Sequence, residues 1–149
     1  ESLTRLRKFK KTLSNEMRKR YLVSEHFSSD DVGMILRASS LVVGRSGMNT
    51  ITELVYFEKP SLLIPFPFSQ NNEQLKNARF LEKLGLGKVL QQNETDSKKL
   101  LQTINFMFQN IDDYRIRKKE LKNKRSQNAA QNIVSVINHV DISKKKAHF

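Results

Sequence analysis

Residues 41–64, LVVGRSGMNTITELVYFEKPSLLI, decide the fold of this chain. The run at residues 41–43 is apolar and β-branched and ends at a glycine, which is typical of a buried parallel strand. A turn follows, and the next apolar residues recur at helical spacing as far as the helix-ending pair Lys59-Pro60. Residues 61–64 are again a short apolar run. The order strand, helix, strand predicts a βαβ unit, the building block of a parallel sheet.

The same alternation continues on both sides of this stretch. A helix with leucines at core spacing is predicted to end at Gly85, and residues 88–90 are a third strand candidate. Thr95 or Asp96 is suited to cap the next helix, and residues 21–23 are a further short strand candidate. We therefore predict an α/β fold, a Rossmann-like parallel sheet with helices on both faces.

Helices are also predicted towards the ends of the chain. Apolar side chains recur at three or four residues over residues 3–17, which predicts one amphipathic helix. Asp30 or Asp31 is suited to cap a second helix. A last helical region is predicted from about Asp112 to His139.

The net charge of +12 is concentrated at the two ends. Residues 1–20 carry eight basic and two acidic side chains, residues 111–149 carry ten and four, and residues 21–110 carry nine of each. We treat residues 1–149 as a single partial domain with two basic helical ends. Such ends suit an anionic membrane surface, a nucleic acid or an acidic partner, and they equally suit plain solvated helix faces.

Composition excludes several classes of protein. The chain has no cysteine, so it has no disulfide and no thiolate metal site. His26, His139 and His148 lack ligand spacing and there is no Asp-x-Asp motif, so we expect neither a metal nor a cofactor. Two prolines interrupt the most apolar stretch, residues 61–68, so we expect no membrane span. The absence of cysteine fits a reducing compartment, and we expect a cytoplasmic location.

Three loops follow predicted strands, at the edge where open parallel sheets bind ligands. They are residues 24–31, 44–50 and 65–74. In the second loop the amides of Met48, Asn49 and Thr50 would point from a helix N-terminus, which suits an anion.

Two neighbours complete this candidate anion site. Gly47 permits a close approach of the backbone to a ligand and a positive φ. Glu53 follows within the first turn, where its carboxylate can accept hydrogen bonds from the two vicinal hydroxyls of a ribose. A simple tight turn and an exposed acid near a helix start explain the same residues, and both interpretations stay open at this point.

A longer ordered pattern runs through these loops and the helices behind them. It comprises Arg45, Ser46 and onward to Leu54, then Lys59-Pro60, Leu63 to Phe66, Gln74, Asn77-Ala78, Leu81-Glu82 and Gly85. This pattern resembles the C-terminal domain of the MurG family, which is one half of a GT-B glycosyltransferase. Those enzymes add N-acetylglucosamine from UDP-N-acetylglucosamine to a lipid-linked muramyl peptide at the cytoplasmic membrane face.

The resemblance implies a role for each matched residue. Residues 46–50 would hold the diphosphate, and Glu53 would take the ribose hydroxyls. Phe27 and Ser28 would lie near the uracil, largely through backbone contacts. The UDP-sugar enters as a substrate, so no cofactor is implied.

The resemblance also assigns a sugar end to the site. Gln74 would reach hydroxyls of the transferred sugar, with Asn77 supporting the start of its helix. Arg45 would face the phosphates or brace the loop. Relatives often have His where Glu73 stands, so this acid bears on which sugar is preferred.

One departure concerns what the family's C-terminal domain normally begins with. Relatives open with a strand and a Gly-Gly-Ser phosphate loop, and residues 1–149 contain no such sequence. The N-terminal domain that supplies the acceptor site and the catalytic base is not in this sequence either. We therefore expect a fragment, or one subunit of a split transferase that depends on an N-terminal acceptor domain or a partner chain.

Two alternatives remain beside the transferase. One is a non-catalytic subunit that binds a UDP-sugar or only a partner. The other is a basic nucleic-acid-binding module, which the absence of any accompanying RNA- or DNA-binding motif disfavours.

Overall fold

The computed structural model describes residues 2–114 and divides the chain into two compact units, which separate between Ser39 and Ser40. The first unit contains three helices: α1 (Ser2–Thr12), α2 (Asn15–Arg20) and α3 (Ser29–Ala38). The second contains the sheet and its helices. Residues 115–149, with most of the last predicted helix, the basic tail and two histidines, lie outside the described residues.

The single helix predicted over residues 3–17 is two helices. Ser14 begins the second helix as its N-cap, because its hydroxyl accepts a hydrogen bond from the Met17 amide at 3.3 Å. The Arg18 guanidinium donates to the carbonyls of Lys11 and Leu13 at 2.8 and 3.1 Å and so satisfies backbone groups at the break.

Two further local predictions in the first unit are corrected. Residues 21–23 form no strand; they are irregular, and the Tyr21 ring packs edge-on against Phe9 at 5.9 Å. Helix α3 is capped by Ser28, not by Asp30 or Asp31. Asp31 instead closes a capping box, because it receives the Ser28 amide while the Ser28 hydroxyl receives the Asp31 amide.

The second unit is built on a parallel sheet of three strands in the order β1-β2-β3. The strands are β1 (Val42–Gly44), β2 (Ser61–Leu63) and β3 (Gly87–Val89). Val43 pairs with Leu62, and Leu62 pairs with Lys88. All three strands were predicted to within one residue at each end.

Helices cover both faces of the sheet, as predicted. Helix α4 (Met48–Tyr56) joins β1 to β2, and α5 (Glu73–Lys83) joins β2 to β3. Because parallel crossovers are right-handed, both lie on one face, where they pack against each other. On the opposite face Leu62 packs in a cluster with Met107 of α6 (Ser97–Gln109).

The helices begin and end with recognisable backbone motifs. Asp96 caps α6 by accepting the Lys99 amide at 2.6 Å, which confirms one of the two predicted caps. Helix α5 ends at Gly85 with φ of 76°, whose amide donates to the Glu82 carbonyl at 2.9 Å. This left-handed glycine lets the next amide reach the Leu81 carbonyl at 3.2 Å, which is a Schellman motif. Within residues 2–114 no helix is both long enough and apolar enough to cross a bilayer.

Candidate nucleotide-sugar site

The start of α4 presents three consecutive backbone donors. Gly47 is the N-cap and makes no side-chain cap. Among residues 2–114, the amides of Met48, Asn49 and Thr50 hydrogen-bond to no protein group, whereas the next amide, that of Ile51, donates to the Gly47 carbonyl. Three unpaired donors at the positive end of the helix dipole form a favourable place for an anion.

The expectation of a positive φ at Gly47 is wrong. Its φ is −61° and its ψ is 153°, which is extended backbone that any residue adopts. A Cβ built on Gly47 would meet no heavy atom within 4 Å. The glycine therefore satisfies no steric need of the protein itself and leaves open space in front of the helix.

Ser46 lies in the loop of residues 44–50 and links it to the loop and helix that follow β2. Its side chain is fully buried, and its hydroxyl donates to the Gln74 carbonyl at 2.7 Å. The side-chain amide nitrogen of Asn77, which is also buried, donates to the Ser46 carbonyl at 3.1 Å. The Ser46 hydroxyl is thus occupied, and the residue holds the two loops together while the amides beyond it remain unpaired.

Gln74 and Arg45 both hydrogen-bond to the start of the loop that follows β2. The Gln74 side-chain oxygen accepts the Phe66 amide at 2.9 Å, and its side-chain nitrogen has no protein partner among residues 2–114. Arg45 donates to the carbonyls of Ile64 and Pro65 at 3.0 and 3.2 Å, and its guanidinium lies 5.6 Å from the Phe66 ring centroid. Of the two roles implied for Arg45, the structure shows the bracing contacts.

Two acids of the candidate site are exposed. Glu53 projects from α4, and within residues 2–114 its carboxylate has no hydrogen bond or ion pair. Glu73 is the first residue of α5 and is also exposed, so it adds negative charge beside Gln74.

The loop between β2 and α5 contains features that the sequence did not indicate. Asn71 and Asn72 both adopt left-handed backbone with φ of 52° and 55°, a conformation that asparagine tolerates better than most residues. The Ser69 hydroxyl accepts the Gln74 amide at 3.3 Å. The serine and asparagines of this loop indicate a turn in the sequence, but they are compatible with several turn geometries and so do not predict this one.

Phe27 and Ser28 belong to the first unit. Phe27 is about half exposed, at 49%. Both the amide and the hydroxyl of Ser28 donate to Asp31, at 3.2 and 2.7 Å, so its polar groups serve the cap of α3.

Phe66 also lines a small cavity of about 190 Å³ beside this edge of the sheet, together with Asn72 and Gln92. Phe66 and Phe68 contact each other edge-on at 5.8 Å, and Phe68 is 84% exposed. An exposure this high excludes Phe68 from the core. Over residues 2–114 there is no group of three or more side chains able to hold a metal ion.

The parallel sheet with helices on both faces defines this chain as a Rossmann-like α/β domain. Residues 5–133 match the model of a protein family described as "Glycosyltransferase family 28 C-terminal domain". This chain therefore belongs to the glycosyltransferase family 28 C-terminal domains.

Two similar proteins share the name "UDP-N-acetylglucosamine--N-acetylmuramyl-(pentapeptide) pyrophosphoryl-undecaprenol N-acetylglucosamine transferase". The protein of that name from Pelagibacter ubique is 37% identical over 114 residues, which are 74% of this chain and 32% of the relative. The one from Clostridium tetani is 31% identical over 128 residues, 85% of this chain and 34% of the relative. This chain thus spans about a third of the length of these curated relatives.

A solved structure shares the fold. The crystal structure of Acinetobacter baumannii MurG superposes with a TM-score of 0.58 at 24% sequence identity, over 76% of this chain and 32% of that one. The match confirms the predicted fold, the C-terminal half of a GT-B enzyme.

Proposed function

We propose that this chain is the UDP-sugar-binding part of a glycosyltransferase that transfers N-acetylglucosamine to a lipid-linked acceptor. The observation that carries the proposal is the row of unpaired amides at Met48, Asn49 and Thr50, followed within one turn by the exposed carboxylate of Glu53. The name of the similar proteins supplies the sugar donor and the kind of acceptor.

The chemistry follows from these donors. Transfer displaces UDP from the anomeric carbon, so negative charge grows on the diphosphate as the bond breaks. Amides fixed at a helix N-terminus stabilise that charge without reorganising, which is the electrostatic help that lowers such barriers. Glu53 accepts hydrogen bonds from the ribose hydroxyls, and the free side-chain nitrogen of Gln74 donates to a sugar hydroxyl.

The acceptor site and the general base come from elsewhere in this proposal. The chain spans about a third of its relatives, so a further domain or a partner chain supplies both. A non-catalytic subunit that only binds the UDP-sugar is the second candidate. Either way we assign the protein a peripheral place at the inner membrane face, beside a lipid-linked substrate.

Calorimetric titration of the chain with UDP tests the proposal. Glu53→Gln should weaken UDP binding about tenfold or more, because a hydrogen bond to a charged group contributes about 1.5–3 kcal/mol. Glu16→Gln is the matched control: it removes the same charge from an exposed side chain in α2 and should leave the affinity unchanged.

Two results would contradict the proposal. One is an absence of UDP binding together with salt-sensitive binding of DNA or RNA, which would favour the nucleic-acid module. The other is an equal loss of affinity in both variants, which would mean that Glu53 acts through net charge alone.

A further inference from the structure

Helices α4 and α5 leave an open apolar groove between their outer faces. Its larger part, about 520 Å³, is lined from α4 by Met48, Thr52 and Val55 and from α5 by Phe80. A second hollow of about 410 Å³ adjoins it and shares Phe80 and Lys76. We call the two together the α4–α5 groove.

The groove exposes large apolar side chains. Phe80 is 52% exposed and Met48 is 54% exposed, although neither lies in a flexible tail. Contiguous exposed apolar surface of this kind commonly marks a site of interaction with a partner or a membrane.

Basic side chains border the groove along α5. Lys76, Arg79 and Lys83 line it, at positions three and four residues apart that share one face of the helix. Lys76 and Lys83 are thus separated by about 10 Å along the axis. Among the described residues no acidic side chain lines the groove, and Arg79 makes a single 3.8 Å ion pair with Glu82.

The groove begins at the candidate nucleotide-sugar site. Met48 and Asn77, which line its larger part, also belong to the candidate site: Met48 begins α4 with an unpaired amide, and Asn77 of α5 donates its side-chain amide to the Ser46 carbonyl. A surface bound in the groove would therefore lie directly beside the place where the sugar is transferred.

We propose that the α4–α5 groove docks onto an anionic lipid bilayer, an inference that rests on the proposed function for its link to a lipid-borne acceptor. Exposed Phe80 and Met48 enter the interface between head groups and acyl chains. Lys76 and Lys83 extend their ammonium groups to lipid phosphates while their aliphatic stems cover apolar surface. A soluble protein with an acidic, polar surface would pair with the lysines but would leave the apolar side chains of Phe80 and Met48 without a partner.

Vesicle co-sedimentation of the full chain tests this proposal, with phosphatidylcholine vesicles containing or lacking phosphatidylglycerol. The double variant Lys76→Gln/Lys83→Gln should partition onto anionic vesicles about 25-fold less, because each basic residue near such a surface contributes about fivefold. Phe80→Ser should lose about fivefold through its apolar contact.

Lys98→Gln/Lys99→Gln is the matched control, since it removes the same charge from α6 on the opposite face of the sheet. This control should bind vesicles nearly as the wild type does. It separates the groove from general attraction by the chain's net charge of +12.

Three outcomes would overturn the proposal: equal losses in the two lysine pairs, no loss in Phe80→Ser, or Phe80-dependent self-association without vesicle binding. UDP titration of the same variants separates this proposal from the previous one. If the groove variants bind both UDP and vesicles as the wild type does, only the membrane-docking proposal is overturned. Absent UDP binding with the expected vesicle losses defeats only the transferase function.

Discussion

At the scale of single residues, Gly47 occupies a position where a capping side chain would stabilise α4 but would compete with the proposed ligand for the free amides. Serine, threonine, aspartate and asparagine are the usual N-cap residues because their side chains satisfy a free amide. Gly47 satisfies none, and its extended backbone and open surroundings would accept a side chain. The start of α4 thus lacks a side-chain cap at the place where the proposed diphosphate would bind the backbone amides.

We expect Gly47→Ser to separate these two needs. The hydroxyl should cap α4 and keep or raise the free energy of unfolding by a few tenths of a kcal/mol. It should also weaken UDP binding about tenfold, because it occupies an amide that would otherwise bind an anionic oxygen. Urea unfolding and calorimetry on one preparation measure both effects, and an undiminished UDP affinity would argue against the amide site.

The residue types of the candidate site could be predicted from the sequence, but their mutual contacts could not. Helical spacing was enough to put Met48, Asn49 and Thr50 at a helix start. The bond from Ser46 to Gln74 and that from Asn77 to Ser46 join residues 28 and 31 positions apart. Such contacts depend on the packing of two crossovers, which no local pattern contains.

At the scale of elements, predictions succeeded where apolar runs were bounded by glycine or proline. The strands and the end of α5 at Gly85 are of this kind. The strand predicted at residues 21–23 failed because three extended residues become a strand only when another strand pairs with them. The helix over residues 3–17 failed because Ser14 offers its hydroxyl to the backbone, which competes with helix continuation.

The Schellman end of α5 gives a test of backbone conformation. Gly85→Ala should lower the free energy of unfolding by about 1–2 kcal/mol, because an L-residue is strained at a φ of 76°. Gly44→Ala is the control: Gly44 lies in β1, its φ is not positive, and an added Cβ meets nothing within 4 Å. Urea unfolding should show the control within about 0.5 kcal/mol of the wild type. Equal effects in both variants would show that the left-handed turn is not the cause.

At the scale of the whole molecule, the region aligned with the Pelagibacter ubique relative makes up 74% of this chain but only 32% of the relative. If the acceptor groups lie in the remaining part, the chain alone should bind UDP and show no sugar transfer to a lipid-linked acceptor. A chimera that joins this chain to the part of the relative that it does not cover should transfer the sugar, and Glu53→Gln should abolish most of that transfer. Transfer by the chain alone would place the acceptor groups within it.

The buried tie between Ser46, Gln74 and Asn77 also has a thermodynamic consequence. Two loops already fastened to one another need little ordering when a nucleotide sugar arrives, so the loss of conformational entropy on association falls mainly on the ligand. The heat capacity change of binding should accordingly be small, because a preformed polar cleft binds the nucleotide sugar with no coupled folding.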